Sequence, residues 1–401
     1  MTSFPGLGSS SPSTTAWRTL LALAVVFVLL AITGWTAIRH HNGTMDPRAQ
    51  ELSAWRQGSV SGRPLPDPNT EPRQLSRFFE SLTPAQQTRL VLRYPLVVGN
   101  LNGAPVSLRY QANRRALIQA RNVEQQRTHD SALTPYGRSD ARRRMHRYES
   151  MLSPGRQILA FDPAGSGRAA EVFGDLAHAR RVAVVVPGVD TDILTFQKTA
   201  RPETSVLGMA RAVHRAERSL RPGGAHAVIA WADYTSPDGT NLESATGKRA
   251  SEGALRLRAL VNGLPERSRV ALLCHSYGSV VCGVAARDLS RKVTDIAVAG
   301  SPGMRAEHAS DLGTTARVWA MRDAGDWIED VPNLEVGGLG HGADPVSPAF
   351  GARVLSADGA HGHSGYFVPG TESLANFARL GVGDIHTVTC ANGDDCRSGP
   401  T

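Results

Sequence analysis

The pattern of apolar and polar residues changes from one part of the chain to the next. Residues 1–16 are rich in Ser, Thr, Pro and Gly, which predicts a disordered tail. Residues 17–38 form a nearly unbroken apolar run, long enough to cross a bilayer as a helix, with Trp17 and Trp35 near its ends. Because no convincing small-x-small cleavage site precedes Arg39, we predict an uncleaved transmembrane helix rather than a cleaved secretory signal.

Two regions follow the predicted anchor. Residues 39–75 are rich in Pro, Gly and polar side chains and are predicted to form a flexible linker. Residues 76–155 are predicted to be helical, and Thr83, Pro84 and Gln86 together form a helix-start signal. This N-terminal helical region contains no catalytic constellation.

From residue 156 to residue 390, short apolar runs alternate with helical patterns. This alternation of strand and helix patterns predicts an α/β domain with a mostly parallel sheet and helices on both faces. The predicted strands cover 158–161, 169–173, 182–186, 226–231, 270–273, 295–299, 317–321 and 352–355, and the main predicted helices cover 206–220, 251–261 and 371–380. Residues 391–401 are assigned to a C-terminal tail.

The stretch from Arg269 to Gly283 reads R-V-A-L-L-C-H-S-Y-G-S-V-V-C-G. It predicts a buried strand that turns sharply into a helix at Ser276. This is the geometry of a nucleophile elbow, G-x-S-x-G, with Cys274 at the first glycine position. Such a turn lifts the serine hydroxyl clear of the sheet, with the N-terminus of a helix behind it.

Candidate acids and then candidate histidines follow Ser276 along the chain. Two acids, Asp323 and Asp326, follow the seventh predicted strand, and two histidines, His361 and His363, follow the eighth. The order serine, acid, histidine is the one that the α/β-hydrolase fold uses, with each member at the carboxyl end of a strand. We favour His363 over His361 as the base, and Asp326 over Asp323, which adjoins Arg322, as the acid that orients it.

A tetrahedral intermediate needs hydrogen-bond donors for its oxyanion. The candidates are the backbone N–H groups of Tyr277, directly after the nucleophile, and of Val189, where Gly188 permits close approach of the backbone. We expect His275 to pack beside the serine or line the substrate site. Trp231, at the end of a strand, is expected in the core or in the pocket lining.

Metal and cofactor chemistry is not predicted. His341, His361 and His363 lack a helical pair and an acidic partner in a recognised metal-binding pattern. We therefore predict no metal and no cofactor.

The four cysteines suggest different roles. Cys390 and Cys396 bracket a short polar loop and are a candidate disulfide. Cys274 and Cys282 flank the elbow and are expected to be small buried side chains rather than redox partners.

Charge gives limited information about partners and orientation. The formal net charge is +8, mostly from arginine, and the Arg142–Arg144 cluster is interleaved with acids, so we predict a solvated helix face and no nucleic acid. The basic residues after the apolar run favour a cytoplasmic domain by the positive-inside rule. A single N-terminal apolar segment usually acts as an export signal, however, and with the candidate disulfide we expect an extracytoplasmic domain in the cell membrane.

Several motifs together resemble a known family. They are V-G-N-L-N-G-A-P-V-S-L-R-Y-Q-A-N-R, P-G-V-D-T, A-W-A-D-Y-T-S-P, C-H-S-Y-G-S, G-A-D-P-V-S-P-A-F-G-A-R and H-S-G-Y-F, and they extend over 76–383. The set resembles the actinobacterial α/β-hydrolase family called domain of unknown function 1023. The resemblance implies an α/β-hydrolase fold and a serine-hydrolase triad carried by Ser276, Asp326 and His363, and it implies no substrate.

The sequence thus predicts a membrane-anchored serine hydrolase. It would act like an esterase or lipase on ester, thioester or amide bonds of a small or lipid-like acyl substrate. The alternative is a non-catalytic envelope or interaction protein that retains the hydrolase fold.

Overall fold

The computed structural model describes residues 46–239, 246–331, 335–336 and 339–397. The chain divides into two compact units, residues 1–50 and residues 51–401. The predicted tail and transmembrane helix, residues 1–38, lie outside the described residues. Among the described helices, none is long and apolar enough to cross a membrane.

The amino-terminal part is mainly helical. Its elements are α1 (Pro47–Arg56), β1 (Ser59–Val60), β2 (Arg63–Pro64), α2 (Pro72–Glu80), α3 (Pro84–Arg93), α4 (Pro95–Val98), α5 (Val106–Arg127) and α6 (Pro135–Met151). The predicted start of α3 is confirmed. Thr83 Oγ1 accepts a hydrogen bond from the Gln86 N–H, and the Gln86 side chain accepts one from the Thr83 N–H.

The flexible linker predicted over 39–75 is wrong for the residues that the structure describes. Trp55, Val60 and Leu65 are buried together in an apolar cluster, and the Trp55 indole donates a hydrogen bond to the carbonyl of Pro66 at 2.7 Å. Glu51 accepts a hydrogen bond from the N–H of Leu96 at 2.8 Å. The Pro- and Gly-rich composition reflects tight turns between buried apolar anchors rather than a free tether.

The helical part packs directly on the sheet that follows. The Asn113 side chain donates to the carbonyl of Ile158 at 3.0 Å, and the Asn100 side chain donates to the carbonyl of Phe161 at 2.8 Å. Both acceptors lie in the strand β3 (Gln157–Asp162), and residues 76–155 and 156–390 fall in the same compact unit. The two predicted regions therefore fold against each other.

The second part contains the large sheet. Its strands are β3 (Gln157–Asp162), β4 (Arg168–Gly174), β5 (Arg181–Val186), β6 (His226–Ala232), β7 (Arg269–His275), β8 (Val293–Ala299), β9 (Arg317–Met321) and β12 (Arg353–Val354), with a separate hairpin of β10 (Glu335–Val336) and β11 (Leu339–Gly340). Its helices are α7 (Val206–Leu220), α8 (Lys248–Gly263), α9 (Gly278–Ala285) and α10 (Glu372–Val382).

The strand order across the large sheet is β12-β9-β8-β7-β5-β6-β4-β3. From β12 to β6 all neighbours are parallel, whereas β4 is antiparallel to both β6 and β3. The mostly parallel sheet predicted from the sequence is therefore confirmed. The last strand is shorter than the predicted run of 352–355.

Both faces of the sheet are covered, because alternate residues of each central strand point to opposite faces. In β7, Val270 and Leu272 join the cluster that includes α8 and α9, whereas Ala271 and Leu273 join the cluster that includes α7 and α10. Parallel strands end at one common edge, so the loops after β5, β7, β9 and β12 meet there.

The C-terminal segment is also attached to the domain. A disulfide joins Cys390 and Cys396, the pair proposed from the sequence. Arg397 donates from Nε to the carbonyl of Val388 at 2.9 Å. The predicted boundary at residue 390 consequently falls inside a closed loop rather than at the start of a free tail.

Candidate active site

Ser276 lies at the turn between β7 and α9. Its φ is +54°, in the left-handed region that non-glycine residues rarely adopt, and its N–H donates to the carbonyl of Ala299 at 3.0 Å. A Cβ at Gly278 would lie 2.3 Å from the carbonyl oxygen of Val186, so only glycine permits this approach of helix to strand. The backbone thus has the strained turn predicted for a nucleophile elbow.

A second disulfide braces this turn. Cys274, at the end of β7, is bonded to Cys282 on α9, with Cα atoms 6.6 Å apart. The expectation that these cysteines are buried but not redox partners is therefore wrong in its second half. Helix α9 runs back along the strand after the turn, which brings the two side chains together on either side of Ser276.

Three predicted side chains meet in a hydrogen-bonded chain. Ser276 Oγ lies 2.8 Å from His363 Nε2. The other ring nitrogen, Nδ1, lies 2.8 Å and 3.1 Å from the two carboxylate oxygens of Asp326. Because the carboxylate can only accept, Nδ1 carries the proton and Nε2 is the acceptor for the serine hydroxyl.

The Asp326 carboxylate is buried, and both of its oxygens accept hydrogen bonds. Its Oδ1 accepts from the Ile328 N–H at 3.0 Å, and its Oδ2 accepts from the Tyr366 hydroxyl at 2.5 Å. Burial opposes its charge, but the hydrogen bonds from His363, Tyr366 and Ile328 together lower the pKa of Asp326. A Cβ at Gly300 would lie 2.8 Å from Asp326 Oδ2, so glycine leaves the space that the carboxylate occupies.

The two reserve candidates lie apart from this chain. Asp323 Oδ2 accepts from the N–H groups of Gly325 and Gly362, at 3.1 Å and 2.8 Å. It therefore joins the loop after β9, which carries Asp326 (the acid loop), to the loop after β12, which carries His363 (the histidine loop). It does not pair with Arg322, which binds Asp344 at 2.6 Å. His361 is exposed and, with Asp323, lines a separate cleft of about 570 Å³.

Two rings flank His363. His275 lies 4.9 Å away between ring centroids, and Trp327 lies 4.6 Å away. His275 is 6% exposed, and its Nε2 donates to the carbonyl of His363 at 2.6 Å. Burial, aided by the nearby His363 ring, lowers the pKa of His275 to about 4. His275 is thus a neutral support of the loop that carries His363, which agrees with the expected packing beside the serine, and its place in the substrate lining stays a prediction.

The loop after β5 approaches the serine closely. A Cβ at Gly188 would lie 2.7 Å from Ser276 Cβ and 3.3 Å from the backbone nitrogen of Tyr277. The Tyr234 hydroxyl donates to the carbonyls of Pro187 at 2.7 Å and Gly188 at 3.2 Å. Gly188 therefore borders Ser276, and Tyr234 fixes the orientation of its peptide group.

Trp231 is a core residue and does not line the site. It is 1% exposed and stacks on Tyr234 with ring centroids 5.6 Å apart. Of the two positions expected for Trp231, the core is confirmed and the pocket lining is wrong, because alternation along β6 directs this side chain into the layer beneath α8 and α9.

The histidines considered for metal binding have other surroundings. His341 packs edge-on against Tyr277, with centroids 5.9 Å apart, and burial together with the charge of Arg305 lowers the pKa of His341 to about 4. Among the described residues, no group of three or more His, Cys, Asp or Glu could hold a metal ion.

Sequence reasoning missed Tyr366, Trp327 and Tyr234 as parts of the site. Each lies in or beside a candidate motif: Tyr366 in H-S-G-Y-F, Trp327 directly after Asp326, and Tyr234 in A-W-A-D-Y-T-S-P. An aromatic side chain close to a catalytic candidate was the available signal.

A protein-family model described as alpha/beta hydrolase matches residues 162–336. The fold is that of the alpha/beta hydrolases, as predicted, whereas membership of the family called domain of unknown function 1023 stays a prediction.

Mycobacterial proteins are similar over much of the chain. The uncharacterized protein Rv2079 of Mycobacterium tuberculosis (strain ATCC 25618 / H37Rv) is 29% identical over 378 residues, covering 80% of this chain and 57% of the relative. The uncharacterized protein Rv0963c of the same strain is 32% identical over 169 residues, 40% of this chain and 62% of the relative. The chain thus spans less than two thirds of the length of the curated relatives it matches here.

Solved structures show a distant similarity. A dienelactone hydrolase from Anabaena variabilis ATCC 29413 matches 56% of this chain and 93% of its own, with 14% identity and a TM-score of 0.34. An alpha-beta serine hydrolase homologue from Coxiella burnetii matches 58% of this chain and 97% of its own, with 13% identity and a TM-score of 0.32.

Proposed function

We propose that this protein is a serine hydrolase that cleaves ester bonds through an acyl-enzyme on Ser276. The observation that carries the proposal is the unbroken hydrogen-bonded chain from Ser276 Oγ through the His363 ring to the Asp326 carboxylate. A serine hydroxyl is a poor nucleophile until a neighbouring base takes its proton, and this arrangement supplies that base.

The residues divide the reaction between them. As Ser276 Oγ attacks the carbonyl carbon, its proton passes to His363 Nε2, and the same proton then goes to the leaving oxygen as the carbon–oxygen bond breaks. Asp326 holds the ring with Nδ1–H towards it and stabilises the imidazolium that forms. A water molecule repeats the sequence to release the acid.

The oxyanion would be bound by the backbone N–H groups of Tyr277 and Val189. Tyr277 begins the turn into α9, directly after the nucleophile. In a trans peptide the C=O and N–H groups point in opposite directions. Because Tyr234 binds the Gly188 carbonyl, the Val189 N–H points away from Tyr234, and the close approach of Gly188 to Ser276 supports its role as the second donor.

The proposed substrates are small or lipid-like acyl compounds. Attack of Ser276 on an ester forms an acyl-enzyme, and thioesters and amides react through the same intermediate. We propose neither a nucleic-acid partner nor a cofactor. We also propose that the chain is a member of the family called domain of unknown function 1023.

We further propose that residues 17–38 anchor the enzyme in the cell membrane, with residues 76–155 and 156–390 outside the cytoplasm. The two disulfides, Cys274–Cys282 and Cys390–Cys396, support an oxidising compartment. Reporter fusions to each end of the chain test the orientation. Reporter activity on the cytoplasmic side for a fusion after residue 397 would contradict it.

Hydrolysis of p-nitrophenyl esters with graded acyl lengths tests the enzymatic proposal. We expect turnover by the full chain and none above background by Ser276→Ala, with the preferred length reporting the acyl class. Equal rates for the two proteins, or no turnover of any ester, would favour a non-catalytic protein that retains the fold.

A further inference from the structure

Trp327 presents an aromatic surface beside the His363 imidazole. The two ring centroids are 4.6 Å apart, with planes inclined by 46°. Trp327 is 47% exposed, whereas His275, the other histidine-flanking ring, is buried. The imidazole therefore has one buried aromatic neighbour and one that is open to solvent.

The backbone that carries the exposed indole is anchored on both sides. Trp327 begins a short 3-10 turn, Trp327–Asp330, capped by the Asp326 carboxylate, which accepts from the Ile328 N–H. Asp326 and Ile328, its neighbours on both sides, are buried. The backbone on each side is thus anchored, so the exposure of the indole is a property of the folded site. A single exposed apolar side chain is ordinary on a protein surface, but this one contacts the His363 ring, and Trp is enriched among the residues that carry binding energy.

The proposed reaction indicates what this surface contacts. In that reaction the acyl part of the ester becomes bonded to Ser276, and the alcohol part leaves with the proton that His363 Nε2 delivers. The departing oxygen must therefore lie against the imidazole when the bond breaks. A group attached to that oxygen extends along the surface next to the imidazole, where Trp327 is exposed.

We propose that Trp327 is a specificity-determining residue that binds the alcohol part of the substrate, and that the enzyme prefers esters whose alcohol part is apolar. This inference rests on the proposed function. An alkyl or aryl group packing on the indole would exclude water from both and strengthen acylation.

Two esters with one acyl group test the inference. Methyl butyrate and benzyl butyrate release alcohols of similar acidity and form the same butyryl-enzyme, so only acylation distinguishes them. We compare the full-length wild type with Trp327→Ala, Trp327→Phe and Leu220→Ala. Leu220 is a similarly exposed residue at the end of α7, before the amino end of β6 and so at the opposite edge of the sheet.

The wild type should have the higher kcat/KM on benzyl butyrate. Trp327→Ala should reduce that preference about tenfold. Trp327→Phe should keep most of it, and Leu220→Ala all of it. Decay of the butyryl-enzyme formed in a burst with p-nitrophenyl butyrate should be unchanged in each variant. Equal losses on both esters, or a slower decay, would mean that Trp327 merely supports His363 and would overturn the inference.

Labelling by a fluorophosphonate separates this inference from the proposed function. If Ser276 is labelled but the wild type does not prefer the benzyl ester, the inference fails alone. If Ser276 is not labelled and neither ester is cleaved, the proposed function fails and the inference with it.

Discussion

The Tyr366 hydroxyl bridges the Asp326 carboxylate and the backbone of Asp323: it donates to Asp326 Oδ2 at 2.5 Å and accepts from the Asp323 N–H at 3.0 Å. Burial, together with the hydrogen bond to Asp326, raises the pKa of Tyr366, so the hydroxyl remains a donor. Removing it as Tyr366→Phe should leave Asp326 short of one hydrogen bond and lower kcat/KM about tenfold. Steady-state hydrolysis of methyl butyrate measures this loss.

Tyr110→Phe is the matched control. The Tyr110 hydroxyl is buried and has no hydrogen-bond partner among the described residues. The same change there should leave kcat/KM as it is. Similar losses for the two variants would mean that Tyr366 acts through packing rather than through its hydrogen bond to Asp326.

The two aspartates should differ strongly in their effect. Asp326→Asn replaces the acceptor that fixes the His363 tautomer and should lower kcat about 10³-fold or more. Asp323→Asn removes charge from a carboxylate whose Oδ2 accepts from two loop N–H groups, and an amide oxygen can still accept, so we expect a loss of about tenfold or less. Rates of the two variants under one condition decide between them, and a larger loss from Asp323→Asn would overturn the assignment.

His275 should make the protein less stable in acid. Burial lowers the pKa of His275 from 6.5 to about 4, so protons bind more readily to the unfolded chain. Its stabilising contribution is therefore complete above pH 6.5 and is lost as the pH falls towards 4. Between about pH 7.5 and about pH 5, the free energy of unfolding should fall by about 2 kcal/mol more in the wild type than in His275→Asn.

Urea unfolding of both proteins at the two pH values measures this difference. Other histidines whose pKa burial lowers, such as His214 and His341, contribute equally to both proteins and cancel. Parallel pH dependence of the wild type and His275→Asn would show that His275 is not held neutral by the fold.

The Cys274–Cys282 disulfide should matter for both stability and reactivity. It closes a short loop around Ser276, with a sequence separation of 8, and Cys390–Cys396 closes one with a separation of 6. Loop entropy predicts that replacing either pair by alanine costs about 2–3 kcal/mol. Only the first pair spans the strained turn, so only its removal should also slow acylation of Ser276.

Thermal unfolding and the rate of labelling by a fluorophosphonate measure these two effects separately. The Cys390→Ala/Cys396→Ala variant is the control. If the Cys274→Ala/Cys282→Ala variant is labelled as fast as the control, the disulfide stabilises the domain without shaping the elbow.

The sequence predicts the sheet well because its central strands are buried on both faces. A run such as Val182–Val186, which is apolar at every position, is expected of a strand that is covered on each side. The grouping of Ser276, Asp326 and His363 follows from the same cause, since parallel strands deliver their following loops to one edge.

Features that depend on tertiary proximity escape this reasoning. The Cys274–Cys282 bond depends on how α9 returns along β7, and the burial of Trp55 depends on partners far along the chain. The position of Trp231 depends on which face of β6 it occupies, which the sequence of a strand buried along its whole length does not reveal. Composition alone therefore predicts a flexible linker over residues 46–75, where the structure instead has buried apolar contacts.

Peptide mapping after treatment with a fluorophosphonate tests the central claim most directly. The wild type should carry one covalent phosphonyl group on Ser276, His363→Ala should react far more slowly, and Ser276→Ala should carry none. An unlabelled wild type, or a label on another residue that persists in Ser276→Ala, would contradict a nucleophilic serine activated by His363.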